Sequence, residues 1–93
     1  MTFEINIKAK SLKFISSLQK HDKARLKEAF LVLKEDPVPI KSLDITKLKG
    51  EKNKYRIRKG KFRIVYEVIW EQKVILIHRV DFRGDAYNLT LSD

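Results

Sequence analysis

Residues 55–80 read YRIRKGKFRIVYEVIWEQKVILIHRV, and the spacing of apolar side chains in this stretch decides the fold. At its start, Tyr55 and Ile57 alternate with Arg56 and Arg58. A period of two is typical of a strand with one buried face and one open face. The stretch therefore begins with a strand that carries its arginines away from the core.

The rest of the stretch predicts two further strands joined by short turns. Residues 59–61 predict a tight turn, and residues 62–70 are apolar on both faces over their middle, as expected of a long central strand. Residues 71–73 predict another turn, and residues 74–80 predict the third strand of an antiparallel meander.

The N-terminal part of the chain predicts one strand and two helices. Residues 3–7 alternate between apolar and polar side chains, whereas apolar residues recur at helical spacing over residues 9–20 and again up to Glu35. A short break at 21–23 separates the two helices, and Asp22 is the expected N-cap of the second helix.

The connection after the second helix contains two prolines within residues 36–39, and neither can continue a helix. A long surface connection is expected from there to about residue 48. The resulting order, β-α-α-β-β-β, predicts an α+β fold with an N-terminal helical hairpin packed on one face of a mainly antiparallel sheet. With 93 residues and no internal repeat or linker, the chain is expected to form one domain over residues 1–93.

The positive charge of the chain is concentrated in one segment. Residues 47–63 contain nine basic residues and one acidic residue, a net charge of +8 out of the chain's +9. Such a cluster predicts a local positive potential that attracts a polyanion or an acidic protein partner.

Five of these cations are expected to act together. By alternation, Arg56, Arg58 and Arg63 share the open face of the sheet, with Lys59 and Lys61 at its rim. Guanidinium groups on adjacent strands are suited to gripping phosphate. The alternative, in which these charges only solvate an exposed sheet, suits any single lysine better than the group, because mixed signs would solvate the face equally well.

The phosphate-binding face is expected to grip RNA, and flanking residues extend it. Lys52 and Lys54 precede the first strand of the meander and are expected to bind RNA together with the two rim lysines. Tyr87 lies in a polar tail four residues after Arg83. It could either stack on a nucleobase or dock onto the core.

Several classes of site are disfavoured by residue content or spacing. The sequence has no cysteine, no glycine-rich phosphate loop, no metal-binding His/Glu spacing and no nucleophile elbow, so neither a metal nor a cofactor is expected. Without a signal pattern or a membrane-spanning run, a cytoplasmic location and no membrane partner are expected. His78 is expected to pack or cap its strand rather than carry protons, and Trp70 to cover the core or the sheet edge.

Four short motifs resemble the RelE/ParE superfamily of toxin–antitoxin toxins, most closely its archaeal RelE branch. The motifs are LKG at 48–50, YRIR at 55–58, GKFRIVY at 60–66 and RGDAY at 83–87. The resemblance spans essentially the whole chain, since the order β-α-α-β-β-β is also that of the family.

The resemblance implies a ribosome-dependent endoribonuclease (an mRNA interferase) that cleaves mRNA in the A site and so inhibits translation. The 2′-hydroxyl would attack the adjacent phosphate without a metal, and the partners would be the ribosome, mRNA and a cognate RelB-like antitoxin. Arg56 and Arg58 match positions that act near the attacking hydroxyl, and Arg63 matches an arginine that stabilises the transition-state phosphate. Tyr87 matches an aromatic that stacks on an mRNA base, and Arg83 matches the basic residue of the C-terminal motif.

The chain departs from the family pattern at two places. Arginine hardly deprotonates, so Arg56 or Arg58 is a poorer general base than the lysine of relatives, and the proton could pass to water, ribosomal RNA or Lys54. Asp81 stands where some relatives have an arginine assigned as general acid, which leaves Arg83 to protonate or stabilise the leaving oxygen. The groups that carry the protons are therefore unassigned.

Two other functions compete with RNA cleavage. A ParE-like inhibitor of DNA gyrase would act through protein contacts, cause DNA damage and be indifferent to loss of the arginines. A non-catalytic RNA-binding module or degenerate toxin would bind RNA with strong salt dependence and leave it uncut.

Overall fold

A computed structural model describes residues 2–83 of the chain. These residues form two helices and five strands, in the order β1 (Glu4–Ile7), α1 (Ala9–Ser16), α2 (Lys20–Glu35), β2 (Asp44–Lys47), β3 (Lys54–Lys59), β4 (Phe62–Ile69) and β5 (Val74–Phe82). Neither helix of this part of the chain is long and apolar enough to cross a membrane.

The five strands form one mixed sheet in the order β1-β5-β4-β3-β2. β1 pairs with β5 in parallel, and the other neighbours are antiparallel. The predicted fold class is confirmed, with a helical pair and a mainly antiparallel sheet. β4 lies in the middle of the sheet, as its apolar middle predicts.

The predicted long connection after α2 is wrong in one respect, because it contains the additional strand β2. Ile45 of β2 stands opposite Ile57 of β3, and Thr46 stands opposite Arg56. Ile45 packs against the core, so the short strand covers the edge of β3 and buries one apolar side chain. Four residues with a single apolar side chain carry too little alternation to indicate a strand from sequence.

The boundary between the helices also differs from the prediction, since α1 ends at Ser16 and α2 already begins at Lys20. The hydroxyls of Ser16 and Ser17 donate to the carbonyls of Leu12 and Phe14 at 2.8 and 2.7 Å, which satisfies acceptors at the end of α1.

Asp22 is not the N-cap of α2, a position taken by Gln19. Asp22 lies instead in the first turn of the helix, where its side chain is buried. There its carboxylate pairs with a lysine of the β3–β4 turn rather than with the helix backbone.

The core lies between α2 and one face of the sheet. Leu26, Ala29 and Leu33 recur along the buried side of α2, as the helical spacing predicts. They join strand residues in one cluster that includes Ile57, Phe62, Ile64, Tyr66, Val68, Ile75, Ile77 and Val80. The Tyr66 hydroxyl donates to the Pro37 carbonyl at 2.7 Å, and burial raises the pKa of Tyr66 well above its ordinary value.

A β-bulge interrupts the pairing of β4 with β5. Tyr66 pairs with Ile77, but Val65 pairs with Arg79, which leaves His78 as an extra residue. Ile77 and Val80 are both buried although they are three residues apart. The bulge therefore shifts the alternation of β5 by one residue, so that the positions after it are reversed.

Candidate nucleic-acid interface

The side of the sheet that faces away from the helices is called the open face here. On β4 the buried residues Phe62, Ile64, Tyr66 and Val68 alternate with partly exposed ones, and the latter belong to the open face. Strand register then fixes the neighbours of these residues. The open face of β3, β4 and β5 includes Lys54, Arg56, Arg58, Arg63, Val65, Glu67, Leu76, His78, Arg79 and Asp81.

Rows of side chains cross the open face from strand to strand. Arg58 stands beside Arg63, and Arg63 stands beside Asp81. The next row runs from Arg56 through Val65 to Arg79, which follows the extra residue of the bulge. The structure thus brings together the three arginines that alternation assigned to one face.

Arg63 is held by a carboxylate of the neighbouring strand. Its Nε and Nη2 atoms donate to the two carboxylate oxygens of Asp81 at 3.1 and 3.2 Å. Arg79 Nε donates to the same carboxylate at 2.7 Å. This fork geometry is the one with which arginine also grips phosphate, so Asp81 occupies a position that an anionic substrate would compete for.

Arg56, like Arg63, is partly buried. Its Nε atom is buried and has no hydrogen-bond partner among residues 2–83. A buried donor without an acceptor carries a desolvation cost that an anion at this position would relieve.

The predicted placement of the two rim lysines is wrong. Lys59 Nζ lies 3.5 Å from Glu28, and Lys61 Nζ lies 3.3 Å from Asp22, and both acids belong to α2. Lys59 pairs across the sheet with the buried Phe62, which puts it on the helix-covered side. Counting by two from Tyr55 would have given this side, because residues 55, 57 and 59 share a face.

The turn between β3 and β4 is fastened to α2 between these two ion pairs. Gly60 has a positive φ of 60°, which glycine adopts without strain. A Cβ at this position would lie 2.6 Å from Arg25 Nη1. Asp22, Arg25 and Glu28, which are spaced three residues apart on α2, therefore all lie against the tip of the β3–β4 hairpin.

The remaining predicted cations lie at the margins of the open face. Lys54 lies on it and pairs with Glu51 at 3.4 Å, while Lys52 is exposed in the turn before β3. Arg83 donates from Nη1 to the Gly60 carbonyl at 3.1 Å, which places its guanidinium at the hairpin turn. The predicted site residue Tyr87 lies outside the described residues.

The structure adds a histidine–carboxylate pair that the sequence did not reveal. His78 Nε2 lies 2.8 Å from Glu67 Oε1, and both side chains are partly exposed. Alternation from Arg63 could have found Glu67, four residues further on the same face. The position of His78 depends on the bulge, for which the sequence gives no signal. By contrast, Trp70 packs edge-on against Phe3, which fits its predicted role as edge cover.

A cavity of about 500 Å³ adjoins the end of the rows, between α1 and the part of β5 that β1 does not pair. Its walls are Lys10, Ser11 and Phe14 of α1 and residues 78–81 of β5. The Ser11 hydroxyl donates to the His78 carbonyl at 3.2 Å and so ties the helix to the bulge. Within residues 2–83, no group of three or more histidine, aspartate or glutamate side chains is arranged to hold a metal ion.

Comparison with known families and structures gives a consistent match. Residues 7–87 match the family model described as the ParE toxin of the type II toxin–antitoxin system parDE. A Methanocaldococcus jannaschii protein that carries the name toxin RelE1 is 37% identical over 87 residues, which cover 94% of this chain and 97% of that protein.

Two solved structures of archaeal complexes resemble the fold. One is the RelE-RelB complex from Pyrococcus horikoshii OT3, with a TM-score of 0.82 and 36% identity, covering 91% of this chain and 99% of the matched chain. The other is the RelB-RelE antitoxin–toxin complex from Methanococcus jannaschii, with a TM-score of 0.69 and 28% identity, covering 90% of this chain and 96% of the matched chain.

Proposed function

Because the chain belongs to the RelE/ParE family of type II toxin–antitoxin toxins, we propose that it is a ribosome-dependent endoribonuclease that cleaves mRNA in the A site and so inhibits translation. The observation that carries this proposal is the cluster of three guanidinium groups on the open face. Arg56, Arg58 and Arg63 lie on neighbouring strands of a rigid sheet, at a spacing suited to one phosphate and its neighbours.

The chemistry proposed is attack of a 2′-hydroxyl on the adjacent phosphate. The charge that develops on the phosphorane oxygens would be stabilised by fixed arginines, which need no reorganisation at the moment of reaction. Arg63 is assigned to this phosphate, and Arg56 and Arg58 to the region of the attacking hydroxyl. Arg83 and Tyr87 keep their roles as a C-terminal cation and a base-stacking ring, and Lys52 and Lys54 are assigned to RNA binding.

A cognate RelB-like antitoxin is the proposed protein partner. Both archaeal structures that resemble this chain are complexes of a RelE with a RelB. An acidic antitoxin chain that folds on the domain would neutralise the open face. We further assign residues 1–93 to one toxin domain that acts in the cytoplasm, where ribosomes and mRNA are found.

The direct test is single-turnover cleavage of mRNA on programmed ribosomes. Wild-type protein is expected to cut in the A-site codon, and Arg63→Ala to cut about 10²–10³-fold more slowly, the usual effect of removing one transition-state donor. Lys27→Ala removes one exposed cation from α2 and serves as the control, with no expected change. Intact mRNA with wild-type protein would contradict the proposal.

The second candidate is inhibition of DNA gyrase, which is favoured by the ParE description of the matching family model. It predicts induction of a DNA-damage reporter in cells, equally strong with Arg63→Ala. A non-catalytic binder would give a third result, namely salt-dependent RNA binding without new mRNA ends.

A further inference from the structure

The arginines of the open face cannot account for proton transfer. A guanidinium group stays charged at all ordinary pH values, so it stabilises an anion but does not accept a proton. Attack by a 2′-hydroxyl is faster when a base removes its proton. Among the open-face side chains of the described chain, the histidine of the bulge has a ring nitrogen that can accept a proton when the ring is neutral.

We propose that His78 is the general base of the cleavage reaction and that Glu67 is its positioning residue. This inference rests on the proposed function, and it names a proton acceptor, which the open-face arginines cannot supply. The first observation behind it is the 2.8 Å contact from His78 Nε2 to Glu67 Oε1. A carboxylate only accepts, so Nε2 donates to it and Nδ1 of the neutral ring is left as a proton acceptor.

The second observation is the arrangement of charges around Val65. Val65 is flanked across the sheet by Arg56 on β3 and by the bulge of His78 and Arg79 on β5. Neighbouring strands lie about 4.8 Å apart, and residues two positions apart on one strand lie about 7 Å apart. Arg63 therefore stands about 7 Å from Val65 in one direction along β4.

Glu67 stands at the same separation from Val65 in the other direction. A phosphate over the small apolar floor of Val65 would have Arg63, with Arg58 beside it, at one end and the His78–Glu67 pair at the other. In this placement Arg56, which stands beside Val65, is the arginine near the attacking hydroxyl, and Arg58 joins Arg63 at the phosphate. In-line displacement needs the attacking 2′-oxygen and the leaving 5′-oxygen on opposite sides of the phosphorus. The base at one end would serve the attacking oxygen and leave the opposite side open to the leaving oxygen, while Arg63 stabilises the charge on the phosphate oxygens.

The third observation is that the imidazole is not fully enclosed. The His78 side chain is 20% exposed, and the cavity between α1 and β5 adjoins this residue. The charged residues around it come from four elements: Lys10 of α1 and Arg79 and Asp81 of β5 line the same cavity, Glu67 of β4 contacts the ring, and Lys54 of β3 pairs across the sheet with Glu67. The acid in direct contact is Glu67, so the ring is tethered at one nitrogen while the other stays available.

The proposed step is a transesterification within the RNA. The 2′-oxygen forms a bond to phosphorus, the bond from phosphorus to the 5′-oxygen breaks, and the 2′-hydroxyl proton moves to His78 Nδ1. A water molecule protonates the leaving 5′-oxygen, and the imidazolium returns its proton to the resulting hydroxide. The products are a 2′,3′-cyclic phosphate and a 5′-hydroxyl.

The test compares His78→Gln with His21→Gln in single-turnover cleavage on programmed ribosomes. His21 is the second histidine of the chain, is well exposed on α2 and touches Asp22 rather than the open face. His78→Gln is expected to lose about 10²–10⁴-fold in cleavage rate, the usual contribution of a general base. His21→Gln is expected to cleave as wild type does.

Further measurements separate catalysis from a structural role. His78→Gln should bind ribosomes that carry a 2′-deoxy nucleotide at the cut site as tightly as wild type, and it should keep the wild-type melting temperature. Wild-type cleavage should rise with pH as the base loses its proton, and this rise should vanish in His78→Gln. Added imidazole should restore part of the rate to His78→Ala. Glu67→Gln should lose less rate than His78→Gln, because it leaves the base in place.

The outcomes also separate this inference from the proposed function. If wild type and His21→Gln cleave mRNA and His78→Gln cleaves equally fast, the assignment of the base is wrong while the endoribonuclease stands. If His78→Gln is slow but imidazole does not rescue His78→Ala and the pH profile keeps its rise, the assignment is also overturned. If wild type leaves mRNA intact, the proposed function is wrong, and the assignment of His78 as its base is wrong as well.

Discussion

The two faces of the sheet treat the same kind of charge in opposite ways. On the helix-covered side, Lys59 and Lys61 each reach a carboxylate of α2, and their charges fasten the hairpin to the helix. On the open face, Arg56 has a buried Nε without an acceptor among the described residues, and Arg63 shares Asp81 with a second arginine. On the helix-covered side each lysine thus has an acid of its own on α2, whereas on the open face two arginines share one acid and Arg56 Nε has none within residues 2–83.

Two residues on neighbouring strands, Ile64 of β4 and Arg58 of β3, give the sharpest way to break this comparison. Ile64 is fully buried, and Ile64→Ala should lower the free energy of unfolding by about 2–5 kcal/mol through lost burial and the cavity left behind. Arg58→Ala, which changes an exposed open-face residue, should change it by less than about 0.5 kcal/mol while it weakens RNA binding. Urea unfolding and RNA titration measure the two effects. If Arg58→Ala proved as destabilising as Ile64→Ala, the division of labour between the faces would be wrong.

A smaller effect is expected from changing Asp81, an acid that lowers the positive charge of the open face. Asp81→Asn removes the negative charge that now accepts from Arg63 and Arg79. Removing one like charge about 4 Å from a bound phosphate is worth about 1 kcal/mol in water, or roughly fivefold in affinity. Binding of a single-stranded RNA should therefore tighten.

The salt dependence of the Asp81→Asn variant should also become steeper, because a freed arginine adds a phosphate contact. Titrations at two salt concentrations check both points. Glu71→Gln, a change in the exposed turn between β4 and β5, is the control for charge alone. Weaker binding by Asp81→Asn would show that the carboxylate orients Arg63 rather than competing with phosphate.

The smallest effect is expected on the helix-covered side of the sheet, from the loss of Lys59. Lys59→Ala breaks a partly exposed ion pair with Glu28, which is worth less than about 1 kcal/mol of stability. RNA binding by Lys59→Ala should fall less than that of Arg58→Ala, even though the two residues are adjacent in sequence. Equal losses would return Lys59 to the RNA-binding surface.

The sequence predicted the parts of the fold that depend on periodicity. The meander, the central strand and the buried side of α2 all follow from apolar spacing, and so does the common face of Arg56, Arg58 and Arg63. β2 escaped prediction because its four residues contain a single apolar side chain, Ile45, which is too few to show a period of two.

The site was predictable only as far as the alternation of β5 held. Strict alternation from Val74 would put Asp81 on the helix-covered face, but the bulge at His78 reverses the positions after it. A bulge changes the hydrogen-bond ladder without changing the apolar content of a strand, so a sequence gives no warning of it. The pairs Arg63–Asp81 and His78–Glu67 therefore became visible only in three dimensions.

The parallel pairing of β1 with β5 has a consequence for the order in which the molecule forms. Glu4 lies opposite Val74, so about 70 residues must close into a loop before the two strands meet. Contacts between residues so distant in sequence form late and slow the folding of small proteins. As the chain emerges from a ribosome, the helices and the strands up to β4 can assemble first, carrying three arginines but no His78, Arg79 or Asp81. The open face is therefore complete only after β5, the last described strand, has been synthesised and paired.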